Sequence, residues 1–211
     1  ILLGIDAGST LTKAALFNRH GQELARCTRP VEIRRPRPGW CEVDPDQAWE
    51  AMKSAVAGVL RQTGVAPEEI AAIGISAAMV GAWLVDATGN ALRPGINWED
   101  SRSQQMLDTR LVADPEFYQR IFREDGCVMQ QGCTLPVAAW IRQNEPEVFA
   151  AAAHIFSYKD FLRMKLTGHA AADRTEAAVA PGDARQRNRS ATMIELFGLA
   201  EPHHREMPER R

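Results

Sequence analysis

The chain has 211 residues, 45% hydrophobic and 25% charged, and its 25 Lys and Arg against 27 Asp and Glu leave a formal net charge of −2. That is the composition of a globular chain long enough for one large domain or two small ones, and it excludes disorder and fibre. The near-neutral balance argues against a general nucleic-acid binder, and no stretch approaches the ~18 consecutive apolar residues of a membrane span.

The first twenty residues carry Asp6, Lys13 and Arg19 where a secretory signal would need an apolar run, so a cytoplasmic location is expected, with neither membrane nor nucleic acid as partner. Cys27, Cys41, Cys127 and Cys133 show neither CxxC nor zinc-ligand spacing and read as reduced structural thiols. The small basic run Arg34, Arg35 and Arg37 reads as a solvated loop broken by proline.

In chain order, the apolar run Ile1 to Ile5, the turn Asp6-Ala7-Gly8-Ser9-Thr10 and the run Ala14 to Phe17 predict a hairpin, and Glu23 to Ile33 supplies a third antiparallel strand after Asn18-Arg19-His20-Gly21. A helix follows. Asp44 can cap it, Pro45 suits its first position, Gln47 completes a capping box, and Gly64 ends it. Its apolar residues Trp49, Met52, Val56, Val59 and Leu60 recur at helical spacing, and Trp49, like Trp40, is expected in the core. Ile70 to Ser76 reads as a buried strand. Trp83 to Asp86 is expected to extend the sheet, with a turn at Ala87 to Asn90 and an edge at Gly95 to Trp98. Helices are expected over Asp100 to Leu111, Pro115 to Phe122, Leu135 to Gln143 and Pro146 to Ala152. A strand at His154 to Phe156, a helix at Lys159 to Leu166 closed by Gly168, a turn at Pro181-Gly182-Asp183 and a helix at Ala191 to Phe197 complete the list. The tail from Glu201 reads as frayed, and His203 and His204 within it lack the further ligands of a metal site. A meander followed by alternating helix and strand is an α/β pattern.

Two stretches could carry chemistry. In Gly4-Ile5-Asp6-Ala7-Gly8-Ser9-Thr10, backbone N–H groups of a Gly-rich turn could converge on phosphate oxygens together with the Ser9 and Thr10 hydroxyls. Asp6 at the strand end could meet Mg²⁺ through water, and Lys13 could steady the anion. The same residues could equally form a tight hairpin whose glycine supplies a positive φ. Asp173, set after small residues at a strand end, could accept a substrate hydroxyl's proton, or it could simply cap a helix.

In order and spacing, the motifs resemble the N-terminal lobe of the FGGY carbohydrate kinases, the family of glycerol kinase, xylulokinase, gluconokinase and ribulokinase. Gly4 to Lys13 is similar to that family's first phosphate motif, and Pro38-Gly-Trp-Cys-Glu-Val-Asp-Pro45 with Trp49 to its GW-E-DP segment. Ile73 to Gly81, Leu84 to Asp86, Leu92 to Pro94 and Asn97-Trp-Glu-Asp-Ser-Arg102 follow its substrate-lobe pattern. Thr134 to Trp140, Glu145 to Glu147, Lys159 to Leu162 and Leu166 to Gly168 continue it, and Ala172 to Ala178 falls where the family carries its catalytic aspartate.

The resemblance implies a ribonuclease-H-like fold of the actin and sugar-kinase type, with a mixed five-stranded sheet flanked by helices. It also implies a reaction: the γ-phosphoryl group of ATP passes to a hydroxyl of a sugar or polyol, with ATP and Mg²⁺ as cofactors. In that scheme Asp173 is the base, Asp6 helps hold the metal, and Gly8, Ser9, Thr10 and Lys13 lie on the phosphate side. Residues 1–211 would then be the sugar-binding lobe, a second lobe would bring most of the ATP site, and the chain beginning at Ile1 would be a trimmed lobe inactive alone. A homodimer is left open.

Sugar contacts are expected from Met79, Asn97, Trp98 and Asp173. Here the chain departs from its relatives. Xylulokinases carry Gln-Met-His-Gly where it reads Ala78-Met79-Val80-Gly81, and the Arg-Glu pair of glycerol kinases is absent, so neither xylulose nor glycerol is assumed. Asp100 and Arg102 are expected to support structure as a cap and its paired arginine. Two other function classes share the fold or the pocket: a carbohydrate-binding or regulatory protein that has lost the reaction, and a ribonuclease-H-like nuclease, which the weak basic surface disfavours.

Overall fold

The structure, a computed structural model, describes residues 1–126, 128–179 and 182–199. Expectations for Cys127, Pro181, His203, His204 and the tail from Glu201 fall outside the described residues.

Along the chain run β1 (Leu2–Ala7), β2 (Leu11–Phe17), β3 (Glu23–Pro30), β4 (Ile33–Arg34), β5 (Glu42–Val43), α1 (Pro45–Thr63), β6 (Ala72–Ala77), β7 (Trp83–Val85) and β8 (Gly95–Ile96). Then follow α2 (Gln104–Ala113), α3 (Phe117–Asp125), α4 (Thr134–Asn144), α5 (Pro146–Ala151), β9 (His154–Phe156) and α6 (Tyr158–Thr167). The last elements are α7 (Arg174–Val179), β10 (Gly182–Asp183), β11 (Asn188–Arg189) and α8 (Ala191–Leu196). They divide into two compact units: Ile1–Arg34 with Val43–Ala78, and Arg35–Glu42 with the chain from Met79 onward.

The first unit is a mixed sheet in the order β3-β2-β1-β6, with β1–β2 and β2–β3 antiparallel and β1–β6 parallel. The predicted meander is therefore present. Four strands pair in this unit, against the five that the resemblance implied, because β7 does not extend it and pairs antiparallel with β9 in the second unit. Alternation assigns the faces: Leu3, Ile5 and Ala7 of β1 and Ala14 and Leu16 of β2 are buried, while Asp6 points to the other face. Strand β6 was expected to be buried and is not, its Ile73 being 51% exposed at the edge of the sheet.

Helix α1 packs on the buried face and is the crossover that a parallel β1–β6 pair needs. Its N-cap is as predicted: Asp44 Oδ1 accepts from the Asp46 and Gln47 N–H groups at 3.0 and 3.2 Å. Gly64 closes it at φ 71° with its N–H on the Leu60 carbonyl at 2.9 Å. The capping box, however, is only half formed, because Gln47 Oε1 accepts from the Glu32 N–H instead. The buried stripe is mostly small, namely Ala48, Ala51, Met52, Ala55, Gly58 and Val59, whereas Trp49, expected in the core, is half-buried under the Lys53 ammonium.

The core of the second unit gathers Leu84, Ile96, Leu107, Phe117, Ile121, Leu135, Val137, Ile141, Phe149 and Ile155 around α4. Trp83 stacks on Tyr158 and Phe161 at 4.6 and 5.0 Å. Ile96 and Ala82 exchange both backbone hydrogen bonds at 3.0 Å, so Gly95–Ile96 does form a short edge. Among the described residues no helix is long and apolar enough to cross a membrane.

The cap gives a direct test. Asp44→Ala should lower the stability of the folded chain by about 1 kcal/mol in urea unfolding, whereas Asp44→Asn, which keeps the cap and loses only the exposed Arg34 pair, should cost less than about half as much.

Candidate functional site

The predicted site residues fall into two groups, one in each unit. In the first unit, Asp6 and Lys13 are register partners across the β1–β2 hairpin, joined by an ion pair of 3.2 Å, and the Asp6 side chain is 53% exposed. Ser9 and Thr10 form the turn between them. Gly8 departs from both sequence readings: it has no positive φ, and its N–H is spent on the Leu11 carbonyl at 2.9 Å, closing the hairpin. Ser9 and Thr10 bring hydroxyls to this turn, and the Lys13 ammonium is committed to Asp6.

In the second unit, Met79 and Trp98 are 41% and 48% exposed. Close backbone packing holds the segments that carry them. A Cβ on Gly81 would overlap the Ile96 carbonyl, and one on Gly132 the Trp98 carbonyl, while the Gly81 N–H donates to the Gly132 oxygen at 3.0 Å. Only glycine permits this approach. Asn97, expected to face substrate, is 3% exposed. Its Oδ1 accepts the Trp98 N–H at 2.8 Å, its own N–H donates to the Cys41 carbonyl at 2.9 Å, and its side chain lies against the Cys41 thiol, which burial pushes upward in pKa. Asn97 therefore supports the wall through its backbone and Oδ1, and its buried Nδ2 has no hydrogen-bond partner among the described residues.

Asp173 also differs from expectation. No strand precedes it. It stands immediately before α7, where Oδ1 accepts from the Thr175 and Glu176 N–H groups at 2.7 and 3.0 Å, and Oδ2 is ion-paired with Lys159. This is the geometry of a helix cap.

Behind this surface lies an ion network. The Arg102 side chain is fully buried; Nε and Nη2 grip the two Asp100 oxygens at 2.8 Å each, and Nη2 also reaches Glu42 at 2.8 Å. Glu42 in turn accepts from Arg93 at 2.5 Å, and Arg93 binds both oxygens of Glu145 at 3.0 Å. Asp100 Oδ2 takes the Cys41 N–H at 2.6 Å. Arg102 lies 3.8 Å from the Trp40 ring centre and 5.1 Å from that of Trp140. Burial opposes the Arg102 charge, but the hydrogen bonds to Asp100 and Glu42 more than offset it, so its pKa is raised; burial dominates at Arg93 and lowers its pKa. The pairing of Asp100 with Arg102 is as expected. Because that carboxylate is committed here, α2 begins at Gln104 and not at Asp100. Trp40, expected in the core, is half-buried as the lid on Arg102.

Sequence reasoning passed over Asp160 and Glu176. Both are buried carboxylates, 1% and 4% exposed, and burial raises the pKa of each. With Thr134, Ser157 and Arg189 they line a cavity of about 20 Å³, and Asp160 Oδ2, Glu176 Oε1 and Thr134 Oγ1 have no hydrogen-bond partner. The Asp173-x-x-Glu176 spacing is the signal that marks Glu176, since it is a capping-box pattern.

Residues 1–209 match the FGGY family of carbohydrate kinases, N-terminal domain. The xylulose kinase of Escherichia coli strain K12 is 35% identical over 83% of this chain, which spans 35% of that protein's length. Among solved structures, a xyloylose kinase from Brucella ovis is 31% identical with a TM-score of 0.86, over 96% of this chain and 42% of that one. The xylulose kinase from Rhodospirillum rubrum is 27% identical with a TM-score of 0.84, over 93% and 40% of the respective chains. The chain thus spans about a third of the curated relatives' length.

Two predictions follow from the buried charges. Arg102→Lys should destabilise the fold by about 3 kcal/mol in chemical denaturation, because an ammonium cannot bridge Asp100 and Glu42 while lying flat on Trp40. For Asp160, facing Lys159, Arg163 and Arg189, the raised folded pKa means that its stabilising contribution is complete below the ordinary value of 3.8 and is lost as pH rises through the raised one. Asp160→Asn should accordingly match the parent melting temperature near pH 3.8 and exceed it as pH rises through the raised value.

Proposed function

The chain belongs to the FGGY family of carbohydrate kinases as its N-terminal domain, and on that premise we propose that the protein containing it transfers the γ-phosphoryl group of ATP to a hydroxyl of a pentulose or related polyol. The observation that carries this reading is the exposed Trp98 face, fixed by the Gly81 and Gly132 backbone contacts beside the Met79 segment: a rigid aromatic surface suits the C–H face of a sugar. The substrate class is supported by xylulose kinases at 35% and 31% identity. Val80, in place of an imidazole, makes this wall less polar, which favours a substrate that needs fewer hydrogen bonds there.

Phosphoryl transfer demands positioning and neutralisation of charge. On the hairpin, Ser9 and Thr10 offer hydroxyls and Lys13 a cation to phosphate oxygens, with Asp6 opposite. Mg²⁺ suits these donors. The oxygens among them, the Asp6 carboxylate and the Ser9 and Thr10 hydroxyls, are the ligand type this ion takes alongside its water and phosphate. When bound, it supplies charge neutralisation at the phosphates, and Asp6 is the carboxylate that would hold its hydration shell. Asp173 serves the scaffold in this reading, with Oδ1 committed to the α7 amides and Oδ2 paired with Lys159, and the proton acceptor is another group.

A coupled ADP-release screen of the complete protein over pentuloses, alditols and aldonates should find turnover with one class. Sugar binding without ATP-dependent phosphorylation would instead establish the carbohydrate-binding alternative. Within the same assay Trp98→Ala should raise the sugar KM about tenfold, and Asp173→Asn, which preserves the cap, should keep kcat within about threefold. A collapse of kcat in Asp173→Asn with unchanged KM would restore Asp173 as the base.

A further inference from the structure

Val80 and Arg187 are the two non-glycine residues with positive φ among the described residues, and Val80 is the β-branched one, at 54°. A β-branched side chain disfavours this left-handed backbone, so the conformation persists only where its surroundings impose it. On one side the restraint is plain: Gly81 follows at φ 69° with its N–H on Gly132 and its Cα against the Ile96–Asn97 backbone. On the other side, the Val80 N–H donates to Glu176 Oε2 at 3.4 Å.

Glu176 is well placed to be an anchor. It lies in the first turn of α7, whose start is fixed by Asp173, itself ion-paired with Lys159 on α6. It is buried, and besides Val80 it is faced by Lys159, Asp160 and the Ser157 hydroxyl. In the capping-box pattern a glutamate at this position returns to the N-cap backbone. Here the carboxylate leaves its own helix and reaches the segment that carries Met79.

We propose that Glu176 is a positioning residue for the sugar site: it holds the Val80 amide, keeps Val80 and Gly81 in their left-handed conformation, and so sets the wall that Met79 presents to substrate. This role rests on the kinase reading above. Glu176 touches no reacting atom, and its removal should alter sugar affinity and spare the chemical step.

The test is steady-state kinetics of the complete kinase with the sugar it phosphorylates, together with amide hydrogen exchange at Val80. Glu176→Ala should raise the sugar KM about tenfold with kcat within about threefold and the ATP KM unchanged, while Glu176→Gln, which retains an acceptor oxygen, should stay within about threefold of the parent. Adding Val80→Gly to Glu176→Ala should recover the sugar KM, since glycine adopts the left-handed turn without an anchor. Exchange at Val80 should quicken in Glu176→Ala and not in Glu176→Gln. Glu176→Asp, one methylene too short to reach, should reproduce the alanine effect and serves if the alanine variant does not fold. An unchanged sugar KM in Glu176→Asp, or no recovery on adding Val80→Gly, would overturn the proposal. If the parent phosphorylates no sugar in the panel, the kinase reading fails, and unchanged exchange at Val80 in Glu176→Asp would separately show that no anchor exists.

Discussion

The second unit is organised around one buried cation. Arg102 is fully enclosed and has to be neutralised where it stands, because a guanidinium stripped of water is costly in isolation. Its partners come from separate stretches: Asp100 from its own turn, Glu42 and Trp40 from the segment before α1, and Trp140 from α4. Arg93 and Glu145 extend the network through Glu42. Each guanidinium has two carboxylate partners, and losing one leaves a buried charge only half compensated, so these stretches are bound to fold together. The Gly39-Trp40-Cys41-Glu42 and Asn97-Trp98-Glu99-Asp100-Ser101-Arg102 motifs, which look like signatures of chemistry, are to this extent requirements of folding.

That arrangement also explains how Trp98 can be both exposed and fixed. The residues flanking it are inside: Asn97 is tied to the Cys41 carbonyl, and Asp100 carries Arg102 and the Cys41 amide. The tryptophan is the outward member of an otherwise buried turn. Gly132 presses on its backbone from behind and in turn receives the Gly81 amide, so the Met79 and Trp98 segments share one rigid support. A ligand site on such a support would have little freedom to relax, and small changes behind it should appear as altered affinity.

Local chemistry was legible in the sequence wherever the partners lie within a few residues. Asp44 caps α1, Gly64 closes it, and the opening hairpin forms where its turn residues place it. Reading failed where a side chain chose a distant partner. Gln47 and Glu176 occupy the same capping-box position in their helices, and both abandon it, for Glu32 and for Val80 respectively. Trp49 and Trp40 fit a core pattern by hydrophobicity, yet each ends half-buried against a cation. For Asp173 the residues allowed either a base or a cap, and the capped helix that separates them is too short to announce itself by periodicity.

By itself the sequence determined the α/β class, the opening meander, both ends of α1 and the family, since these depend on local propensity and on motif order along the chain. The tertiary structure alone decided which strand β7 joins, that Asn97 faces inward and Trp98 outward, that Asp173 caps α7, and that Glu176 reaches Val80. The physical reason is the same in each case: burial and long-range hydrogen bonding select one orientation among several that the local sequence leaves equally open.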